Sequence, residues 1–175
     1  MRKIKNEELR RKSVDEFKSA DKLPVIIVLN NVRSLHNIGS IFRTADAFMA
    51  EGIYLCGISA CPPHREIEKT ALGATESVAW KYFKSTVEAV EELNRNGYQL
   101  IAIEQAEGGI SLDQFQVERK KYALIFGHEI NGVDEAVMEK VHAAIEVPQS
   151  GTKHSLNISV CAGVVLWEIF KKFNV

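Results

Sequence analysis

PVIIVLNNVRSLHNIGSIFRTADAF, residues 24–48, decides the fold. Its opening, PVIIVLN (24–30), is a nearly continuous apolar run, as expected of a strand covered on both faces. From Asn37 the period changes. Ile41, Ala45 and Phe48 fall on one helical stripe, so residues 37–49 read as a helix opened by Asn37 as N-cap. A strand running into a helix is half of a parallel βαβ unit, and parallel sheets keep ligands at the carboxyl ends of their strands. The turn carries no G-x-G-x-x-G. It carries asparagines, His36 and Arg33, with Arg43 further along the helix.

The alternation continues outward. GIYLCG (52–57) is a second strand, residues 64–74 read as a helix, and a short strand lies around SVAWKYF (77–83). STVEAVEELNRNG (85–97) is a helix with Ser85 as N-cap, Glu88 completing a capping box and Gly97 as the stop. YQLIAIE (98–104), KYALIFG (121–127) and AAIEVP (143–148) are strands, with a short helix at 134–141. SLNISVCAGVVLWEIFKKF (155–173) is a helix apolar nearly all round, hence expected to be buried. Residues 105–120 are the least regular and read as a mobile loop. The fold class expected is α/β, a mostly parallel sheet with helices on both faces. Residues 1–23 form a basic helical extension and 24–175 one domain.

Composition narrows the function. The chain has 175 residues, enough for a sizeable core, and a net charge of −1, so as a whole it does not announce a polyanion partner. Residues 1–12 nevertheless hold six of its lysines and arginines against Glu7 and Glu8, a basic arm that suits nucleic acid or is simply solvated. No apolar run reaches the ~18 residues of a membrane span, and the N-terminus has no secretory h-region. Cys56, Cys61 and Cys161 are odd in number and lack C-x-x-C spacing, which fits reduced thiols in the cytoplasm. The five histidines show no ligand spacing, and no metal is expected.

Three strand ends gather polar residues. In the first, Arg43 points away from the core stripe, toward an anion or toward Asp46 three residues on. The second is LIFGHEINGVDEAV (124–137), where Gly127 permits close approach and Glu129 places a carboxylate at the strand end. The third is VPQSGTKHSLNIS (147–159), with Ser155 as helix N-cap and Asn157 in the first turn of an apolar helix. Asn-x5-Arg, Gly-x-Glu-x-x-Gly and Ser-Leu-Asn, in this order and each after a strand, form a specific combination.

These stretches resemble the three motifs of the SpoU-type (TrmH-like) RNA ribose 2′-O-methyltransferases of the SPOUT superfamily, over residues 24–173. The resemblance implies a C-terminal deep trefoil knot, S-adenosylmethionine as cofactor, a homodimer with sites at the subunit interface, and tRNA or rRNA as substrate. The cofactor-binding residues it implies are Ala102, Ile103, Glu104, Gly127, Ile145, Val147, Ser155 and Leu156; several of these could instead simply pack the core. Arg43 would contact the ribose hydroxyl or its phosphate, held by Asn37, Glu129, Ser155 and Asn157. Arg33, Arg65 and Lys69 are candidate RNA contacts or plain surface charge. In the family the counterpart of Arg43 is given the role of base. A guanidinium with pKa above ~12 takes that role only if strongly desolvated, and otherwise fixes the substrate while another group accepts the proton.

The chain departs from the family where Met49 and Ala50 replace a usual glycine, and at His154 and Cys161. Two other readings stand beside the enzyme: a non-catalytic RNA-binding knotted dimer, and an α/β enzyme that uses Arg33 and Arg43 to bind another phosphorylated ligand.

Overall fold

The computed structural model describes residues 1–173. Seven strands, β1 (Leu23–Asn30), β2 (Ala50–Cys56), β3 (Trp80–Phe83), β4 (Tyr98–Ile103), β5 (Ile110–Ser111), β6 (Lys121–Phe126) and β7 (Ala143–Glu146), form one sheet. Their order is β3-β2-β1-β6-β4-β7-β5, and every pairing is parallel. The inner strand β1 is buried on both faces. Val25, Ile27 and Leu29 join one core while Ile26 and Val28 join the other, which is why its sequence shows no polar alternation.

The helices are α1 (Val14–Ser19), α2 (Leu35–Ala47), α3 (Arg65–Ala71), α4 (Ala74–Ser77), α5 (Thr86–Arg95), α6 (Glu135–Met138) and α7 (Ile158–Phe173). The first core takes Ile38, Ile41 and Phe42 from α2, Ile67 from α3, and Val165, Leu166 and Ile169 from α7. The second takes Ala89, Val90 and Leu93 from α5 and Val137 from α6. Each large aliphatic side chain removed from water in this way stabilises the fold by roughly 1.5–3 kcal/mol. Phe17 of α1 is 4% exposed and belongs to the first core, so the end of the N-terminal extension packs against the domain.

Several sequence expectations need correction. The cap of α2 is Ser34, whose Oγ accepts from the Asn37 amide at 3.3 Å, and the helix starts two residues earlier than read. Asn37 is thereby freed for other work. The 64–74 helix breaks at Leu72, which turns left-handed at φ 50°, and α4 follows, so β3 starts only at Trp80. Ser85 does cap α5, but through the Val87 amide at 3.2 Å and without a capping box from Glu88. Residues 105–120 are not a bare loop. They hold the edge strand β5, and Leu112 and Phe115 are buried in the first core. The last helix begins at Ile158, and its Val160, Val164 and Trp167 face solvent. Met49, at the departure noted above, takes φ 55°. Its amide closes α2 onto the Asp46 carbonyl and its carbonyl accepts from Leu23, an alignment held at a conformational cost of about 1–2 kcal/mol.

Candidate active site

Because the strands are parallel and in register, their carboxyl ends lie level: Leu29 beside Phe126, Phe126 beside Ile103, Ile103 beside Ile145. Three connections therefore leave the sheet on one rim. These are 31–34 after β1, 127–134 after β6 and 147–157 after β7. Between the ends of β4, β6 and β7 and the start of α7 lies a cavity of about 470 Å³.

Of the residues expected to hold a cofactor, Ile103, Glu104, Gly127, Ile145, Val147, Ser155 and Leu156 line this cavity. Ala102 does not. One residue along a strand reverses the face, and Ala102 packs into the opposite core with Leu100. Ser155 is exposed and makes no hydrogen bond to a described residue, so its expected capping role is not seen. Asn157 caps α7 instead: its Oδ1 accepts from the Ser159 amide at 2.9 Å and the Ser159 hydroxyl at 2.7 Å.

The 127–134 connection is built by its glycines. A Cβ on Gly127 would lie 2.0 Å from the Gly132 carbonyl carbon. Gly132 itself has φ 69°, where a Cβ would lie 2.2 Å from Glu104 Oε2. His128 and Gly132 exchange backbone hydrogen bonds at 2.9 Å each way. The His128 Nδ1 accepts from the Ile130 amide at 3.0 Å, which leaves Nε2 as the protonated nitrogen of the neutral ring. Glu104 Oε2 accepts from the Val133 amide at 3.0 Å and so fixes the loop to the end of β4.

Glu129 joins two of the three connections. Its carboxylate accepts from the Arg33 amide at 3.2 Å, the Ser34 amide at 3.0 Å and Asn37 Nδ2 at 3.4 Å. Burial pushes this carboxyl up, but hydrogen bonds from its own amide, Ser34, Arg33 and Asn37 outweigh it and hold it below its ordinary value. The third connection joins through Asn157, whose Nδ2 donates to Asn37 Oδ1 at 3.2 Å. Asn37, Glu129 and Asn157 are thus one hydrogen-bonded chain beside the cavity.

Arg43 makes no hydrogen bond or ion pair to any described residue. It is exposed on α2, about 9 Å along and about 120° round the helix from Asn37. Asp46, its alternative partner, is instead bound by the Ser77 hydroxyl. The Arg33 and Arg65 side chains are exposed and without partners among the described residues, whereas Lys69 pairs with Glu66 at 2.7 Å. Other cavity residues were not read as site residues in the sequence: Gln105, His128, Gly132, Gln149 and Cys161. Only Gly132 had a legible signal, as the last glycine of Gly-x-Glu-x-x-Gly. The Cys161 thiol is pushed up to about 11, by burial above all and also by the charge of Glu104. It is a neutral wall residue, not a nucleophile.

Comparison with known proteins agrees with this geometry. The family model described as SpoU rRNA Methylase matches residues 24–167. The YacO protein of Bacillus subtilis, assigned to the TrmH family of tRNA/rRNA methyltransferases, is 30% identical over 165 residues, 91% of this chain and 65% of that one. A Staphylococcus saprophyticus relative with the same family assignment is 29% identical over 92% of this chain and 64% of its own length. The chain thus spans just under two thirds of these relatives. Among solved structures, the AdoMet-bound rRNA methyltransferase of Sinorhizobium meliloti matches with a TM-score of 0.80 at 26% identity, over 94% of this chain and 62% of that one. The three connections, the glycine-built loop and the extent of the family match lead to one conclusion: the chain belongs to the SpoU rRNA Methylase family.

Proposed function

We propose that this chain is a SPOUT catalytic domain (24–175, with 1–23 as a basic arm) that transfers a methyl group from S-adenosylmethionine to a ribose 2′-hydroxyl of tRNA or rRNA. It works in the cytoplasm as a homodimer, with its C-terminal part threaded in a trefoil knot. The observation that carries the reading is the Asn157–Asn37–Glu129 chain. It ties the cavity wall to the helix that bears Arg43.

The cavity suits the cofactor. At about 470 Å³ it lies within the ~300–1,000 Å³ of small-molecule sites. Its rim offers strand-end backbone, and the glycines at 127 and 132 leave that backbone approachable. The S. meliloti relative of the same fold is AdoMet-bound, and another matching structure, at 25% identity and a TM-score of 0.76, concerns 2-OH methylation of C/U34 on tRNA.

Bound S-adenosylmethionine supplies an electrophilic methyl group. The chain's own task is to bring an oxygen nucleophile in line, and orientation of that kind is worth up to ~7–11 kcal/mol. Glu129 stays a carboxylate because backbone amides hold it, which makes it a brace for the 31–37 segment and a poor base. Arg43, without partners among the described residues, is available to a phosphate or ribose. Arg33, Arg65 and the basic arm extend that surface. Val160, Val164 and Trp167, at i, i+4 and i+7 on α7 and 53%, 40% and 52% exposed, form an apolar stripe that a second copy would cover.

The test pairs calorimetry with labelled methyl transfer into tRNA and rRNA, followed by nucleoside digestion. Wild type is expected to bind S-adenosylmethionine and yield 2′-O-methylated nucleosides. Arg43→Ala keeps cofactor binding and loses transfer by ~100-fold or more. Cofactor binding without transfer to any RNA overturns the enzymatic reading in favour of an RNA-binding dimer, and no cofactor binding overturns it in favour of an enzyme for another phosphorylated ligand.

A further inference from the structure

A second polar network lies behind the cavity, between β1 and the 127–134 connection. Asn30, the last residue of β1, is fully buried, so each of its polar groups needs a partner. Its Nδ2 donates to Thr86 Oγ1 at 2.7 Å and to Asp134 Oδ2 at 2.8 Å, and its Oδ1 accepts from the Asp134 amide at 2.8 Å. Asn31, left-handed at φ 58°, donates its Nδ2 to the same Asp134 Oδ2 at 2.9 Å. Its Oδ1 accepts from the Ile58 amide at 3.1 Å. One carboxylate oxygen thus receives both asparagines.

Asp134 sits where it should cap α6, yet its side chain makes no capping bond. The carboxylate forgoes a cap worth typically ~1 kcal/mol and turns back to the end of β1. Five residues earlier in the same connection, Glu129 accepts from Arg33 and Ser34. The two connections are therefore stapled twice, at the base by Asn30 and Asn31 on Asp134 and at the tip by Glu129. A single staple would leave a hinge; two fix both spacing and angle.

We infer that Asn30, Asn31 and Asp134 are positioning residues for methyl transfer: they set the distance between the RNA-facing segment 31–34 and the cofactor-side segment 127–134. The inference rests on the function proposed above. It predicts that losing the base staple lowers turnover while each ligand still binds, because the two half-sites survive and only their separation drifts.

The test uses the full chain with Asp134→Ala, Asp134→Asn and Asn31→Ala. The asparagine variant keeps an oxygen that both amides can reach. Expected for Asp134→Ala is a drop in kcat of ~10-fold or more, with KM for RNA and S-adenosylmethionine affinity within about twofold, and faster amide hydrogen exchange at Arg33 and Ser34. Asp134→Asn stays near wild type in all four. Asn31→Ala leaves the buried Asn30 paired; it folds and shows a smaller shift of the same kind. Wild-type turnover in Asp134→Ala overturns the inference. So does a loss seen wholly in cofactor affinity, or an asparagine variant as impaired as the alanine one. If wild type transfers no methyl group, the proposed function fails, while the exchange rates at Arg33 and Ser34 still decide whether Asp134 sets the spacing.

Discussion

The two segments that wall the cavity are built in opposite ways. Gly127–Asp134 is bound at every turn: to itself through His128, to β4 through Glu104, to α2 through Glu129 and to β1 through Asp134. Residues 148–157 are exposed throughout, and before Asn157 they are tied to the other described residues by one hydrogen bond, from Gln105 Nε2 to the His154 carbonyl at 3.2 Å. The contrast separates a wall braced from several elements from a wall that rests on a single internal bond. Local stability is not uniform across a fold, and ligand-closing segments come from its weak end.

Substitutions can break or sharpen this contrast. The largest effect is expected at Gly127, where a Cβ would lie 2.0 Å from the Gly132 carbonyl carbon and 2.2 Å from the Val133 amide nitrogen, backbone that cannot step aside. Gly127→Ala should lower stability by ~3 kcal/mol in thermal unfolding and abolish the proposed methyl transfer. Next is Glu129→Ala, which leaves the Arg33 and Ser34 amides without their acceptor and should cost about 1–3 kcal/mol in denaturant unfolding, with a larger loss in turnover. The same brace responds to acid. A carboxyl held below its ordinary value contributes stability above that value and loses it as pH falls through the folded one. The Arg33 and Ser34 amide resonances should therefore hold steady at neutral pH and shift only below the ordinary glutamate range. Asn157→Ala removes the α7 cap and the bond to Asn37, for about 1 kcal/mol in the same unfolding assay. Smallest is Gly151→Ala in the loose wall. Nothing lies within 4 Å of the added Cβ, and stability should move by no more than ~0.5 kcal/mol. A Gly151 variant as damaging as Gly127→Ala would refute the contrast.

The strands were legible because β1, β4 and β6 are buried on both faces and so are written as apolar runs. The three polar strand ends were legible because each interrupts such a run. Helix starts were less so. Ser34 and Asn37 are both good caps, and only tertiary contacts, which recruit Asn37 to Glu129 and Asn157, decide between them. The edge strand β5 was missed because two residues carry no period. The base staple was missed because nothing in the order of residues says that Asn30 and Asp134, 104 positions apart, will meet.

The bond between Asn37 and Asn157 also joins residues 120 positions apart. During translation the β1–α2 face is made well before its cover, α7, and the partner of Asn37. Contacts of such long sequence separation form late. A nascent or truncated chain that stops before α7 holds no assembled centre and leaves bare the apolar surface that Val165, Leu166 and Ile169 would cover, which makes it a client for chaperones or proteases. Competence waits for α7, the cover and the partner arriving together.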